Sequence, residues 1–296
     1  VDRAHEPLGP LLSRARTRTP RPSPKIDLEL EAGARAHFED PLYYSDTYDW
    51  RDEDVRYYRE VADARGRVLE HGIGNGRVAL PMARDGVLVT GIDHTPAMLD
   101  HLRELLATEP PRVRRRVELF EGDMRTKRLG KRFPLVICPF NAALHLYTRE
   151  DVEQWLARVR EHLEPGGELV FDISMPIPKD LARDPKTAYR IAPFKHPTAG
   201  RVRYEEHFDY DRVRQIQFVS MLFTPAPRGG EQGPARPDAF MTPLAQRQFF
   251  PQEMEALLHY NGFDVKELYG DFERGPLVQA SDVMVWHAAP RGRRTR

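Results

Sequence analysis

Apolar and polar positions change their rhythm twice along this chain. From Ile26 to Ala64 the pattern is helical and aromatic-rich, with Tyr43, Tyr44, Tyr48, Trp50, Tyr57 and Tyr58 along it. From Arg67 it turns into short, nearly all-apolar runs separated by amphipathic segments. The runs at 67–70, 87–92, 117–120, 135–139 and 168–173 read as strands. Helices fall between them at 77–84, from Pro96 onward and at 149–163. Pro96 suits a first helical turn with Thr95 as its cap, and Met98, Leu99, Leu102, Leu105 and Leu106 form one apolar face. Strands that are apolar on both faces, alternating with helices, predict a parallel sheet covered on both sides.

After Ile173 the rhythm breaks. Val202, Tyr204 and Phe208, then Ile216, Phe218, Met221 and Phe223, alternate as in two antiparallel strands. Residues 225–243 hold Pro225, Pro227, Pro234, Pro237, Pro243 and the pair Gly229-Gly230, which predicts a mobile loop. From Pro251 the earlier style returns, with a helix to Tyr260, a stop at Gly262 and strands at 263–268 and 282–286.

Charge modifies this picture. The 296 residues hold 45 basic and 45 acidic side chains, yet the zero balance is a sum of unlike parts. Residues 1–25 and 291–296 are each about +4, so the body between them is about −8. The proline-rich stretch 1–25 reads as a disordered basic arm. The single cysteine, Cys138, excludes an internal disulfide framework and a cysteine-based zinc cluster. No apolar run reaches the roughly 18 residues of a membrane helix, and no signal-peptide core opens the chain, so the cytoplasm is the expected location.

The chemistry begins at Glu70-His-Gly72-Ile-Gly74-Asn-Gly76-Arg77, a strand running through a glycine turn into a helix. A dinucleotide site would want its third glycine at 77, where Arg stands, and no Gly-Lys-Ser/Thr ending marks a triphosphate loop. A ligand without phosphate fits better beside the acid Glu70. Asp93 ends the second strand, 17 residues after Gly76, placed to accept from a ribose diol. Asp123 ends the third and is placed to accept from an adenine amino group. Glu70 would then hold an ammonium. Ammonium, ribose and adenine together describe S-adenosylmethionine. Each element also has a purely structural reading: Asp93 would equally serve as a cap for the helix at Thr95.

The set Glu70-x-Gly72-x-Gly74-x-Gly76, Gly91-Ile-Asp93, Gly122-Asp123-Met124 and His162-Leu-Glu-Pro165-Gly166-Gly167 resembles the class I S-adenosylmethionine-dependent methyltransferases over about 67–174 and again over 249–288. The resemblance implies an α/β fold: a Rossmann-like, mostly parallel seven-stranded sheet with helices on both faces, plus an inserted antiparallel lid. It divides the chain into the arm 1–25, an N-terminal helical lid 26–66, a cofactor-binding core 67–174, an insertion or substrate lid 175–248, the rest of the core 249–289 and a basic tail 290–296. The cofactor set it implies is Tyr48, Glu70, Gly72, Gly74, Gly76, Asp93, His94, Met98, Asp123, Met124 and Phe140, with S-adenosyl-L-methionine as cofactor and no metal. Tyr44 is the alternative to Tyr48 as the tyrosine over the methionine end.

Beyond strand four, Cys138-Pro139-Phe140-Asn141 lacks the second proline of base-modifying amino-methyltransferases, and Cys138 reads as a buried strand residue. His145 resembles the histidine of a Gly/Ala-x-His-Leu segment in small-molecule and sugar N-methyltransferases, which makes it the candidate catalytic residue; a helix-capping role is the alternative. Tyr204, His207, Phe208 and Phe218 would line a roof or merely pack the inserted strands, and 268–272 would reach the acceptor cleft. The expected activity is methyl transfer to nitrogen or oxygen of a small molecule, by a monomer or homodimer with no membrane partner. Nucleic-acid or protein methylation, using the basic ends, ranks below it because those ends lack interleaved aromatics. Cofactor binding without catalysis is the third reading.

Overall fold

The computed structural model describes residues 27–226 and 238–292. The arm 1–25, the centre of the 225–243 loop and the last four residues lie outside the described residues.

The helical N-terminal stretch consists of three helices, α1 (Leu28–Arg35), α2 (Pro41–Tyr48) and α3 (Glu53–Asp63), with a 3-10 turn at Ala36–Phe38. The break before α2 follows from Pro41, which disfavours a helical residue at 40, while the Asp40 carboxylate accepts from Tyr43 N (2.9 Å) as a cap. The core then runs β1 (Arg67–His71), α4 (Ala79–Asp85), β2 (Leu88–Asp93), α5 (Pro96–Thr108), α6 (Pro111–Arg114), β3 (Val117–Glu121), β4 (Phe133–Cys138), α7 (Arg149–His162) and β5 (Leu163–Ser174). After it come α8 (Pro178–Leu181), β6 (Tyr189–His196), β7 (Gly200–Asp211), β8 (Ile216–Pro225), β9 (Phe240–Arg247), α9 (Pro251–Tyr260), β10 (Phe263–Tyr269) and β11 (Val283–Pro290).

Seven strands form one sheet in the order β10-β11-β5-β4-β1-β2-β3, parallel except for β11, which is antiparallel to both its neighbours. The order reverses direction between β4 and β1, so loops leaving the carboxyl ends of these two strands diverge and open a crevice. Helices bury both faces. Trp155 of α7 meets Phe171 edge-on at 5.5 Å, and Phe171 stacks on Trp286 at 6.2 Å. Each such fully buried side chain contributes about 1.5–3 kcal/mol.

β5 starts at Leu163, so α7 ends one residue earlier than its pattern predicts. Pro165-Gly166-Gly167 is carried inside the strand as an irregularity, where the pairing with β4 jumps from Phe133↔Leu163 to Leu135↔Glu168.

The second sheet has four antiparallel strands, β6-β7-β8-β9, two more than the alternation predicts. β6 is mostly exposed and therefore lacks an apolar alternation to read. β9 begins inside the expected loop and contains Pro243; it is an edge strand, where a missing N–H is tolerated. Helix α1 lies on β9 so closely that a Cβ at Gly33 would sit 2.7 Å from the Ala245 Cβ. No described helix is long and apolar enough to cross a membrane.

Candidate active site

A cavity of about 450 Å³ opens at the carboxyl ends of β1, β2, β3 and β4. Its floor is the turn after β1, where Gly72 (φ 74°) and Gly74 (φ 54°) take a left-handed backbone that glycine adopts without strain. Gly76, expected in the same set, does not line the cavity. A Cβ there would meet the Leu102 side chain at 2.4 Å, so this glycine lets α5 approach the turn.

Glu70 is 2% exposed, and its Oε2 has no hydrogen-bond partner among the described residues. Burial pushes its carboxyl well above the usual range; Arg77 opposes this, while Asp93 and Asp54 add to it. Arg77 is already committed: its guanidinium pairs in a two-pronged manner with Asp54 of α3, donates to Arg51 O (3.0 Å) and lies 4.4 Å from the Phe140 ring centre. Glu70 is thus a buried acid, lining the cavity, whose need for a cationic donor the protein itself leaves unmet.

Asp93 ties two elements together from the cavity wall. Its Oδ2 accepts from Gly74 N and its Oδ1 from Thr95 N, each at 2.8 Å, fastening the glycine turn to the start of α5. It also lines the cavity, and each oxygen retains a further lone pair. Exposed His94 and buried Met98 flank it in the same wall. Asp123 differs from expectation. Its carboxylate accepts four hydrogen bonds from Arg125, at 2.6–3.0 Å, through the backbone N, Nε and Nη2. Burial alone would raise its carboxyl, but these bonds outweigh it and lower it. Asp123, Met124 and Arg125 line the wall together.

The exit of β4 is strained. Phe140 (φ 54°) and Asn141 (φ 64°) are consecutive non-glycine residues in the left-handed region. Buried Asp172 of β5 holds them there, accepting Phe140 N (2.8 Å) and the Tyr58 hydroxyl (2.7 Å) on one oxygen, while Asn141 Oδ1 accepts Ser174 N (2.6 Å). Burial, with Asp54 nearby, raises the Asp172 carboxyl to about 6. The turn that follows, Ala142–His145, presents His145 to the cavity. It does not cap α7, whose start is closed by a Thr148–Asp151 capping box. His145 Nδ1 lies 2.9 Å from the Tyr147 hydroxyl. Burial, and secondarily His94 and His37, push its imidazole down to about 3. Cys138 is wholly buried.

Of the two tyrosine candidates, Tyr44 lines the cavity and Tyr48 does not. The Tyr48 hydroxyl is 3.1 Å from His37 Nε2, and its ring packs edge-on to Phe140 at 5.1 Å, behind the wall. The outer wall holds residues the pattern did not single out: Glu31, Ala34 and Arg35 of α1, with Phe38. No described residue of 175–248 lines the cavity, and neither does any of 268–272. Tyr204 and Phe218 pack within the second sheet, His207 contacts Pro185 O, and Phe272 packs on Tyr57. The inserted sheet backs the wall through α1 instead of forming it. Periodicity could not reveal this, although a glycine inside a helix (Gly33) is a local sign of close packing.

This fold and this site define the Rossmann-like, S-adenosylmethionine-dependent methyltransferases. The orphaned Glu70 oxygen and the glycine cradle fit the cofactor's ammonium end. A family model described as a methyltransferase domain matches residues 68–167. Among curated proteins, the chain is 35% identical over 82 residues to dTDP-3-amino-3,4,6-trideoxy-alpha-D-glucopyranose N,N-dimethyltransferase of Streptomyces venezuelae, a match covering 28% of this chain and 31% of that relative's length. Among solved structures, the CcbJ methyltransferase from Streptomyces caelestis superposes with a TM-score of 0.70 at 24% identity, covering 88% of this chain and 99% of that one. A glycopeptide N-methyltransferase, MtfA, solved with S-adenosyl-L-methionine, gives 0.55 at 26% identity, covering 80% and 87%. The chain carries a methyltransferase domain, and its cofactor is S-adenosylmethionine.

Proposed function

We propose that this protein methylates nitrogen or oxygen of a small molecule, and that an amine nitrogen is the acceptor its site favours. The observation that carries this reading is His145, a neutral imidazole set in the wall of the cavity that Glu70 and the glycine turn also line. S-adenosylmethionine supplies a methyl group already activated on a sulfonium. The chain's task is to hold the two partners in line and to manage one proton.

Glu70 would bind the ammonium and Asp93 the ribose diol, with Tyr44 and Phe140 closing the cavity beside them. A hydroxyl acceptor needs a base whose pKa lies near the working pH. An imidazole pushed down to about 3 is a weak base, so it serves a hydroxyl poorly. A neutral amine already has its lone pair, and an imidazole nitrogen that accepts one N–H is enough to aim it. The similarity to an amino-sugar N,N-dimethyltransferase supports an acceptor of that kind and size.

The test is a panel of amino sugars, free and nucleotide-linked, beside the matching hydroxyl sugars, with S-adenosylhomocysteine release as readout. We expect turnover on an amine, and loss of about 10²-fold in kcat for His145→Ala, the worth of lost positioning, with cofactor affinity retained. Methylation confined to the hydroxyl sugars would overturn the acceptor atom. Absence of S-adenosylmethionine binding in calorimetry would overturn the whole reading.

A further inference from the structure

The hydrogen bonds around His145 form a directed chain that ends on the inserted sheet. Tyr147 Oη lies 2.9 Å from the backbone carbonyl of Ala245 in β9 and 2.9 Å from His145 Nδ1. A carbonyl oxygen can only accept, so the single proton of the Tyr147 hydroxyl is spent on Ala245 O. The contact to His145 then needs its proton from the other side, and Nδ1 must be the protonated ring nitrogen. In a neutral imidazole this leaves the lone pair on Nε2. Nε2 makes no hydrogen bond among the described residues, and His145 borders the cavity. Phe38 packs edge-on against the same ring at 5.2 Å and limits its rotation.

We infer that Tyr147 is a positioning residue: by giving its own proton to β9, it holds His145 as the Nδ1–H tautomer and presents the Nε2 lone pair to the acceptor. The inference rests on the proposed amine-methylating function and adds a role for the inserted sheet, which lines none of the cavity yet sets the proton inventory of the residue that does. Tyr147 is packed against Ile216, Phe218 and Ala245 of that sheet, so the tautomer is tied to the sheet's seating on the core. A shift of β9 that broke the Ala245 bond would free the hydroxyl proton and let Tyr147 donate to His145 instead, turning the lone pair away from the cavity.

The tautomer can be read without activity. Nitrogen-15 spectra of the full chain labelled at histidine distinguish the two neutral forms, with His145→Gln assigning the signal. We expect Nδ1–H in the wild type, and a shift toward the Nε2–H form in Tyr147→Phe, which keeps the ring but cannot accept. With an amine acceptor, kcat of Tyr147→Phe should fall about tenfold or more, a fraction of a positioned acid–base group's worth, while KM and cofactor affinity stay within about twofold. An Nε2–H signal in the wild type overturns the inference even if Tyr147→Phe does not fold. So does a folded Tyr147→Phe with unchanged tautomer and kcat. A chain that shows the expected tautomers but methylates no amine fails the functional reading and leaves the positioning in place.

Discussion

Glu70, near the end of β1, and Asp123, just past the end of β3, both line the cavity at the carboxyl edge of the sheet, where a ligand's polar groups would fall. Their surroundings are opposite. Glu70 is sealed, with one oxygen unpartnered and its carboxyl driven upward by burial. Asp123 is about a third exposed and gripped by Arg125, which pulls its carboxyl downward. Position alone does not separate them. An acid that the fold buries and then leaves short of a donor bears a cost that either a proton or a cationic partner relieves. An acid with an arginine wrapped around it is already satisfied, and any ligand must compete for it.

Arg77 offers the largest test of this contrast, because it could have satisfied Glu70 and instead serves Asp54. The two side chains of the pair are 8% and 4% exposed. Replacing Arg77 by Met leaves Asp54 as an uncompensated buried charge, so stability should fall by about 3–5 kcal/mol in denaturant unfolding. Adding Asp54→Leu should recover much of that loss. A single-variant loss below about 1 kcal/mol would place the pair among solvated surface bridges and weaken the case that this region is dry.

The next effect in size is on Glu70 itself. Glu70→Gln should weaken S-adenosylmethionine roughly 10- to 100-fold, the worth of one charge-assisted hydrogen bond of about 1.5–3 kcal/mol. The cofactor-free protein should respond in the opposite sense. A carboxyl raised above its unfolded value gives stability that is present below that value and lost as pH rises through the folded one. Gln removes this loss, so the variant's Tm should exceed the wild type's on the alkaline side, and the two should converge in acid. Binding should also expel the Glu70 proton, making the calorimetric heat depend on the buffer's ionisation enthalpy in the wild type and not in the variant. Equal buffer dependence in both would mean that Glu70 is already ionised.

The legible part of the site is the part made within one strand–turn–helix. The glycine turn, Asp93 and its tie to Thr95 are local, so their spacing carries their geometry. Arg77 was visible as a departure from a dinucleotide loop, but its partner Asp54 is on a helix that the pattern merges with two others. Asp172, Tyr147 and the α1 wall depend on which strands and helices the fold brings together, and nothing in their neighbours marks them. The core sheet follows from runs buried on both faces. β6 and β9 escape notice because exposure and Pro243 erase the alternation by which strands are read. Tyr48 and Tyr44 are four residues apart on one helix, and only packing decides that Tyr44 faces the cavity while Tyr48 turns to His37.

The smallest expected effect is at Asp123, and it sharpens the comparison most. Its partner Arg125 is equally exposed and also paired with Asp151, so Asp123→Asn should change stability by no more than about 0.2–1 kcal/mol. If the carboxylate accepts from the adenine amino group, Asn retains an acceptor oxygen and cofactor affinity should drop only about two- to tenfold, one neutral hydrogen bond's net worth. Arg125→Ala separates the alternatives. Freed from the guanidinium, Asp123 would bind the amino group without competition, and affinity should hold or improve. A fall in affinity in Arg125→Ala, with Asp123→Asn unchanged, would transfer the role to the arginine, stacked or donating at the adenine. Asp123 would then be the residue that aims it.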